Sequence, residues 1–432
     1  MKAITGFLVN ARASTLVASY VQRSQCSGYL FPPDATTTAL TNALKSSRYF
    51  KLSDDGAFDD IGKIVATTKH QDIDSLVTGL AIAAAGLDTN AQLATQLAVR
   101  PSAVVGPENV TVAAWLRAGL GDAELRPLRQ KVARINAAVA RRSAELATLT
   151  AGVPCLPVAS AFDYDTAHDA GLAFAQTGLQ RASMGFGAYM ADDGWVSDYQ
   201  VRGHIRKLPR RLPARYLRAA LVARGFFDGW RAGTGRTLKH FHFLGLGAPI
   251  MLPLALLAAA DADITTFDAT SPIQDAADGS IYVSVPASLT VRTWKVAARI
   301  ATEAPDTGWT CPCWFCGGFA ATYPFNWKQA RDLLTDDPAP KSKNLRSGAR
   351  LAEACPLFRI GTDPLATAAQ DARIGHNHWV VGSLTKRLAV SRPLSAAVEQ
   401  QVSKYVKNAG TPQYGQAVDL ALQIVHPAGV VI

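Results

Sequence analysis

The feature that most constrains the fold is an alternation running through most of the chain. Short apolar runs rich in β-branched and aromatic residues end in turn signals, and Ala- and Leu-rich stretches with helical spacing follow them. RYFKLSDDG (48–56) reads as a strand ending in an acidic turn, and DIDSLVTGLAIAAAGL after it as a helix. PSAVVGPEN (101–109) is a strand stopped at Gly-Pro, followed by a long helix through ELRPLRQKVARINAAVARRSAELATL. CLPVASAF (155–162), RASMGFGAYM (181–190), HFHFLGLG (240–247) and DITTFDA (263–269) are further strands, with helical stretches such as TAHDAGLAFAQTGL and APIMLPLALLAAADA among them. Repeated strand–helix units require a parallel sheet with helical crossovers. With no dinucleotide fingerprint, an α/β (β/α)8 TIM barrel is the expected architecture, and a doubly wound open sheet is the alternative.

The expected division is a barrel core over residues 1–300, an inserted zinc-binding subdomain over 301–385, and a helical segment over 386–432 that closes the barrel. The polar, Pro-containing stretch 335–350 reads as an exposed loop. Apolar residues make up 48% of the 432, enough for a large core. The run 243–260 nearly reaches membrane-spanning length, but Gly245, Gly247, Pro249 and Pro253 interrupt it, so a buried strand, a turn and a core helix explain it better. The first residues lack the apolar core of a signal peptide. A soluble, cytoplasmic protein with no membrane partner is expected.

Three of the six cysteines, Cys311, Cys313 and Cys316, fall within six positions. Cys-x-Cys-x-x-Cys brings three soft ligands within reach of one tetrahedral ion, for which Zn2+ is the default. The fourth ligand must come from elsewhere: His376, His378 or Cys355. Three thiolates and an imidazole leave no position for water, so such a zinc would be structural.

A barrel places its chemistry at the C-terminal ends of its strands. Asp54, Glu108, Ser160, Gly187 and Asp268 all follow expected strands. Any one of them has an ordinary explanation as a turn or helix-capping residue. The net charge of +10 favours a polyanionic partner. The block 201–240 concentrates it, with eleven Lys or Arg against one acid, Asp228. Arg206, Lys207, Arg210, Arg211 and Arg215 are the expected phosphate contacts. The interleaved Tyr216, Phe226, Phe227 and Trp230 are either stacking groups or core residues.

Together these pieces resemble the tRNA-guanine transglycosylase family, zinc-containing barrels that exchange guanine for a 7-deazaguanine. SDDGAF (53–58) is similar to that family's DSGGF motif, which implies Asp54 as general acid/base, with Asp55 as a substitute. HFLGLG followed by DITTFDA is similar to its LMGVG strand and FD motif, which implies Asp268 as nucleophile. The 27-residue step from Ser160 to Gly187 matches the family's spacing between a base-reading Gln and a Gly-Leu backbone contact. CPCWFC with HN at 376–377 resembles its zinc site and selects His376. The resemblance further implies that Glu108, Ser160 and the backbone of Gly187 and Ala188 read the base, with Phe58 and Met190 sandwiching the ring unless they are core.

The chain departs from the family pattern in four places, one of them the gap from Cys316 to His376, which is much longer than usual. GPEN stands where a base-reading Asp is expected, and Ser160 replaces the Gln. ATSPIQDAADG (269–279) replaces an Arg-containing loop that contacts tRNA. With the basic block, this resembles the DNA-modifying, DpdA-type branch of bacteria and phages, which places bases such as preQ0 in DNA. The expected function is therefore DNA-guanine transglycosylation, with DNA and a 7-deazaguanine base as partners and the need for accessory DNA-modification proteins open. A tRNA-directed enzyme, a non-catalytic zinc-containing nucleic-acid-binding subunit and a two-carboxylate barrel glycosidase are the alternatives.

Overall fold

The computed structural model describes residues 5–12, 15, 19–31, 38–54, 89–150, 152–283, 290–303, 306–336 and 345–426. Its strands are β1 (Gly6–Asn10), β2 (Gly28–Phe31), β3 (Phe50–Ser53), β4 (Ala103–Val105), β5 (Cys155–Leu156), β6 (Val158–Ala159), β7 (Arg181–Gly185), β8 (Trp195–Val201), β9 (His204–Pro213), β10 (His240–Leu244), β11 (Thr265–Phe267), β12 (Ser280–Tyr282) and β13 (Thr290–Arg292). Nine of them form one sheet in the order β5-β4-β3-β2-β1-β11-β10-β7-β6. Every pairing in it is parallel.

The two end strands of that sheet are consecutive in sequence and separated only by Pro157. Proline has no N–H to give a ladder, so one strand reads as two. β5 pairs with β4 and β6 with β7. Carbonyls carry the bonding across the seam: Val158 N–H donates to Pro107 O and Ser183 N–H to Pro157 O. Counting 155–159 as one interrupted strand, the expected eight-stranded barrel is present. The strands GFLVN and GYLF, which open it, are too short and too uniformly buried for their periodicity to announce them.

Alternate side chains take opposite faces of each strand. Leu8, Leu30, Phe50, Leu52, Ala103, Val105, Leu156 and Val158 fill the barrel together with Leu244. Phe241, between inward-facing neighbours, stacks outward on Phe226 and Phe227 of the helix Ala214–Thr234. That helix lies unusually close to the helix Tyr164–Gln176 because glycines face it: a Cβ on Gly229 would sit 1.9 Å from His168 O, and one on Gly225 2.3 Å from Tyr164 O. No larger residue fits at those crossings.

The helix Pro364–Val390 runs through the expected 385/386 boundary. Towards its start it packs on the cysteine-bearing helix Trp314–Thr322, and towards its end Val380, Val381, Leu384 and Leu388 join the core around the barrel. The helices Leu394–Asn408 and Pro412–Val425 pack on the outside of Ala214–Thr234 and Met251–Ala258. The expected exposed loop 335–350 is helical at both ends, in Trp327–Asp336 and Leu345–Ala354, and 337–344 lie outside the described residues. The expected long helix over 124–149 starts only at Arg129, after a 3-10 turn at Arg126–Leu128 that contains Pro127. The expected helix in 72–87 also falls outside the described residues. Among the described residues, no helix is long and apolar enough to cross a membrane.

Candidate functional site

Asp268 directly follows β11 and is 5% exposed. Its Oδ1 accepts a hydrogen bond from Gly245 N–H at 3.1 Å, and His242 Nε2 lies 3.2 Å away. Gly245 can present that N–H because it takes a left-handed conformation, φ +70°. A Cβ there would stand 3.0 Å from Gly187 N. The turn after β10, the Gly187 backbone and the Asp268 carboxylate therefore meet on one rim of the barrel. Beneath them, His242 Nδ1 and His240 Nε2 both contact Thr266 Oγ1, at 2.8 and 2.7 Å. Burial pushes the His240 pKa down to about 3, reinforced by His242 and Arg181, so this ring is neutral at pH 7.

Asp54 directly follows β3, half-buried, its N–H bonded to Phe31 O. Gln96 spans the next gap on the rim, donating to Ser53 O at 3.3 Å and Val105 O at 2.8 Å. It thus ties together the strand ends that carry Asp54 and Glu108. Ser160 is clamped by Asn136, which accepts from Ser160 N–H and donates to Ser160 O. The Ser160 hydroxyl donates to Asn109 O at 3.1 Å, which joins it to the Glu108 segment. Gly187, Ala188 and Met190 lie in the one-turn helix Gly187–Met190, and Met190 is half-buried against the main core. Phe58 and Asp55 lie outside the described residues. Sequence reasoning passed over Gln96, Asn136, His240, His242 and Asn10. Asn10 ends β1, and its buried Oδ1 has no partner among the described residues. For Asn10, His240 and His242 the available signal was a polar residue within or ending an apolar strand, whereas Gln96 and Asn136 sit on the helices Thr89–Ala98 and Arg129–Leu149, where local spacing does not mark them.

The cysteine cluster assembles as expected. Cys311, Cys313 and Cys316 place Sγ 3.3, 3.6 and 3.4 Å from His376 Nδ1. All four ligand atoms lie within 4.8 Å of one another. A tetrahedral zinc with ordinary bond lengths needs S···N separations of about 3.5 Å, so the donor set fits such an ion. His376 Nε2 donates to Tyr282 O at 2.8 Å, turning the Nδ1 lone pair towards the sulfurs. Of the other two candidate ligands, His378 meets the Tyr20 hydroxyl at 3.0 Å and Cys355 is fully buried outside the cluster, where burial pushes its thiol up to about 12. Asn377 and Arg373 fasten the same helix to the segment after Asp268. Asn377 donates to Pro272 O and accepts from Tyr282 N–H, while Arg373 donates to Ala276 O.

The basic block divides in two. Strands β8 and β9 form an antiparallel hairpin inserted between β7 and the helix Ala214–Thr234, on the rim that carries Asp268. A two-residue turn at Arg202 and Gly203, both at positive φ, closes it. Asp165 holds the turn by accepting from Gly203 N–H and Gln200 Nε2. Arg206, Lys207, Arg210 and Arg211 are exposed along β9, with Lys207 paired to Asp198 at 2.8 Å and Arg211 donating to Trp195 O. Arg215 belongs elsewhere: it is half-buried, 3.4 Å from Asp193 and 3.3 Å from the Tyr414 hydroxyl. Arg218, Arg224 and Arg231 are bound to acids, and Tyr216, Phe226, Phe227 and Trp230 are buried in the core. The aromatics therefore pack the fold and offer no stacking surface.

No protein-family model matches the chain, and no curated protein matches it.

Proposed function

We propose that the protein is a pentosyltransferase that exchanges guanine in DNA for a 7-deazaguanine base. The observation that carries the reading is Asp268: a carboxylate buried at the barrel rim, with one oxygen held by a backbone N–H and facing a histidine. In the proposed reaction Asp268 Oδ2 attacks C1′ of the nucleotide, and the bond from C1′ to N9 breaks with its electron pair leaving on guanine. Asp54 gives guanine its proton. The incoming base then loses its N9 proton to Asp54 and displaces the aspartyl ester, restoring both carboxyl groups. Glu108 would accept from the N1–H and exocyclic amine of the base. Ser160 and the backbone at Gly187 and Ala188 complete that edge.

A base within a duplex must be flipped out, at a cost of about a few kcal/mol. Phosphate contacts along Arg206, Lys207, Arg210 and Arg211 would offset part of it. Cys311, Cys313, Cys316 and His376 would hold a zinc ion, which would stiffen the segment that follows Asp268. DNA is preferred to tRNA on the sequence resemblance, which implies an Arg-containing tRNA-contacting loop where this chain has the helix Ser271–Ala277. The reaction belongs in the cytoplasm of a bacterial or phage-infected cell.

The test is incubation with labelled preQ0 and either duplex DNA or tRNA, followed by digestion to nucleosides. Label in a deoxynucleoside is expected. Label confined to ribonucleosides overturns the DNA assignment, and label in neither removes base exchange.

A further inference from the structure

We propose that His242 is a positioning residue for Asp268, its ring proton directed at the carboxylate by a buried hydrogen-bond chain through Thr266 to His240. This rests on the reading of Asp268 as nucleophile. The chain follows from counting protons. Thr266 Oγ1 lies 2.7 Å from His240 Nε2 and 2.8 Å from His242 Nδ1. A hydroxyl has one proton and two lone pairs, so at most one of the two rings accepts from Thr266 and at least one donates to it. His242 Nε2 faces a carboxylate, so in the proposed chain that nitrogen carries a proton and Nδ1 accepts from Thr266. Thr266 then donates to His242 and accepts from His240 Nε2–H. Each proton is assigned, and both histidines take the same tautomer.

The link from His242 to Asp268 is the loosest of the three. His242 Nε2 is fully buried and 3.2 Å from Asp268 Oδ1, but off the line of a good hydrogen bond, and it has no other partner among the described residues. A buried donor in that position is held ready for a small movement of the carboxylate, and catalytic hydrogen bonds commonly tighten when substrate binds. With Gly245 N–H bonded to Oδ1 and His242 Nε2 beside the same oxygen, the attacking lone pair belongs to Oδ2. In the ester, Oδ2 bonds to C1′ and Oδ1 becomes the carbonyl oxygen. When the second base displaces the ester, the electron pair returns to the carboxylate, where the two donors stabilise it.

The experiment is long-range 1H–15N spectroscopy of the full-length protein labelled at histidine, which reads which ring nitrogen carries the proton, with exchange kinetics on the same samples. Wild type is expected to show the Nε2–H tautomer at both His240 and His242. Thr266→Val should leave the folded spectrum intact elsewhere, convert His242 to a tautomer mixture, and lower kcat about tenfold or more with KM for the base little changed. His242→Gln, whose amide can still donate to Oδ1, should retain more activity than His242→Phe. A proton on Nδ1 of wild-type His242, or a Thr266→Val protein with unaltered His242 signals, overturns the chain. If wild type exchanges no base at all, it is the nucleophile assignment that fails, and the tautomer spectra still decide the hydrogen-bond chain by themselves.

Discussion

His376 Nε2 donates to the carbonyl oxygen of Tyr282, the residue that ends the short strand reached from Asp268 through the helix Ser271–Ala277. One histidine thus serves two purposes. Its Nδ1 completes the cysteine cluster, and its other nitrogen holds the segment whose first residue is Asp268. The cluster and the barrel rim share a mechanical connection through 268–282, reinforced by Asn377 and Arg373.

Metal analysis should therefore find one zinc per chain, and Cys313→Ser should lose it. Closed Cys3His sites contribute folding energy directly, so that variant should be destabilised by roughly several kcal/mol. An unchanged melting temperature in metal-free protein would show that the cluster holds no structural ion.

Asp268→Asn keeps the shape of the side chain and an acceptor for Gly245 N–H. It should melt within a few degrees of wild type and form no covalent adduct, with base exchange reduced about a thousandfold or more. Full exchange by this variant would exclude Asp268 as the nucleophile.

The β9 cations should show themselves in salt dependence. Replacing Arg206, Arg210 and Arg211 by alanine removes three candidate phosphate contacts. The slope of log affinity for duplex DNA against log salt should then fall by about two to three. Arg224→Ala is the control: its guanidinium is bound to Asp228 and to the carbonyls of Val425 and His426, so it should cost stability and leave the slope alone.

His240 predicts an acid limb in stability. Its folded pKa of about 3 lies below the ordinary 6.5, so between those values the unfolded chain binds the extra proton. Its contribution is complete above about pH 6.5 and is lost as the pH falls towards 3, at up to about 1.4 kcal/mol per pH unit. Denaturation followed from pH 7 to 4 should show a shallower decline for His240→Gln. Parallel curves would mean that the ring is protonated when folded.

Gly229→Ala should destabilise the protein by about 1–3 kcal/mol, because the added methyl meets a backbone oxygen that cannot turn aside. Gly317→Ala, on an exposed helical face with open space around it, should be neutral or slightly stabilising. Equal effects from both substitutions would refute the close helix crossing.

The barrel was legible because strand and helix periods differ, and chains that alternate them have few ways to bury both. The cysteine spacing was legible because a tetrahedral ion restricts which residues can reach it. The first two strands were not, since a fully buried run of four or five residues carries no alternation. The aromatics of the basic block had two readings. The close helix crossing made by glycines such as Gly171, Gly225 and Gly229 seats that helix against its neighbour, with Phe226 and Trp230 buried.

By itself, then, the sequence determined the fold class, the three thiols and the strand-end carboxylates, all properties of residue type and local spacing. The tertiary structure alone decided the partners. It bore out His376, which the resemblance had selected, over His378 and Cys355, separated the exposed arginines from the paired ones, and set His242 and Gly245 against Asp268. The physical reason is that hydrogen bonds and metal coordination act over about 3 Å, between residues that chain packing brings together from positions tens to hundreds of residues apart.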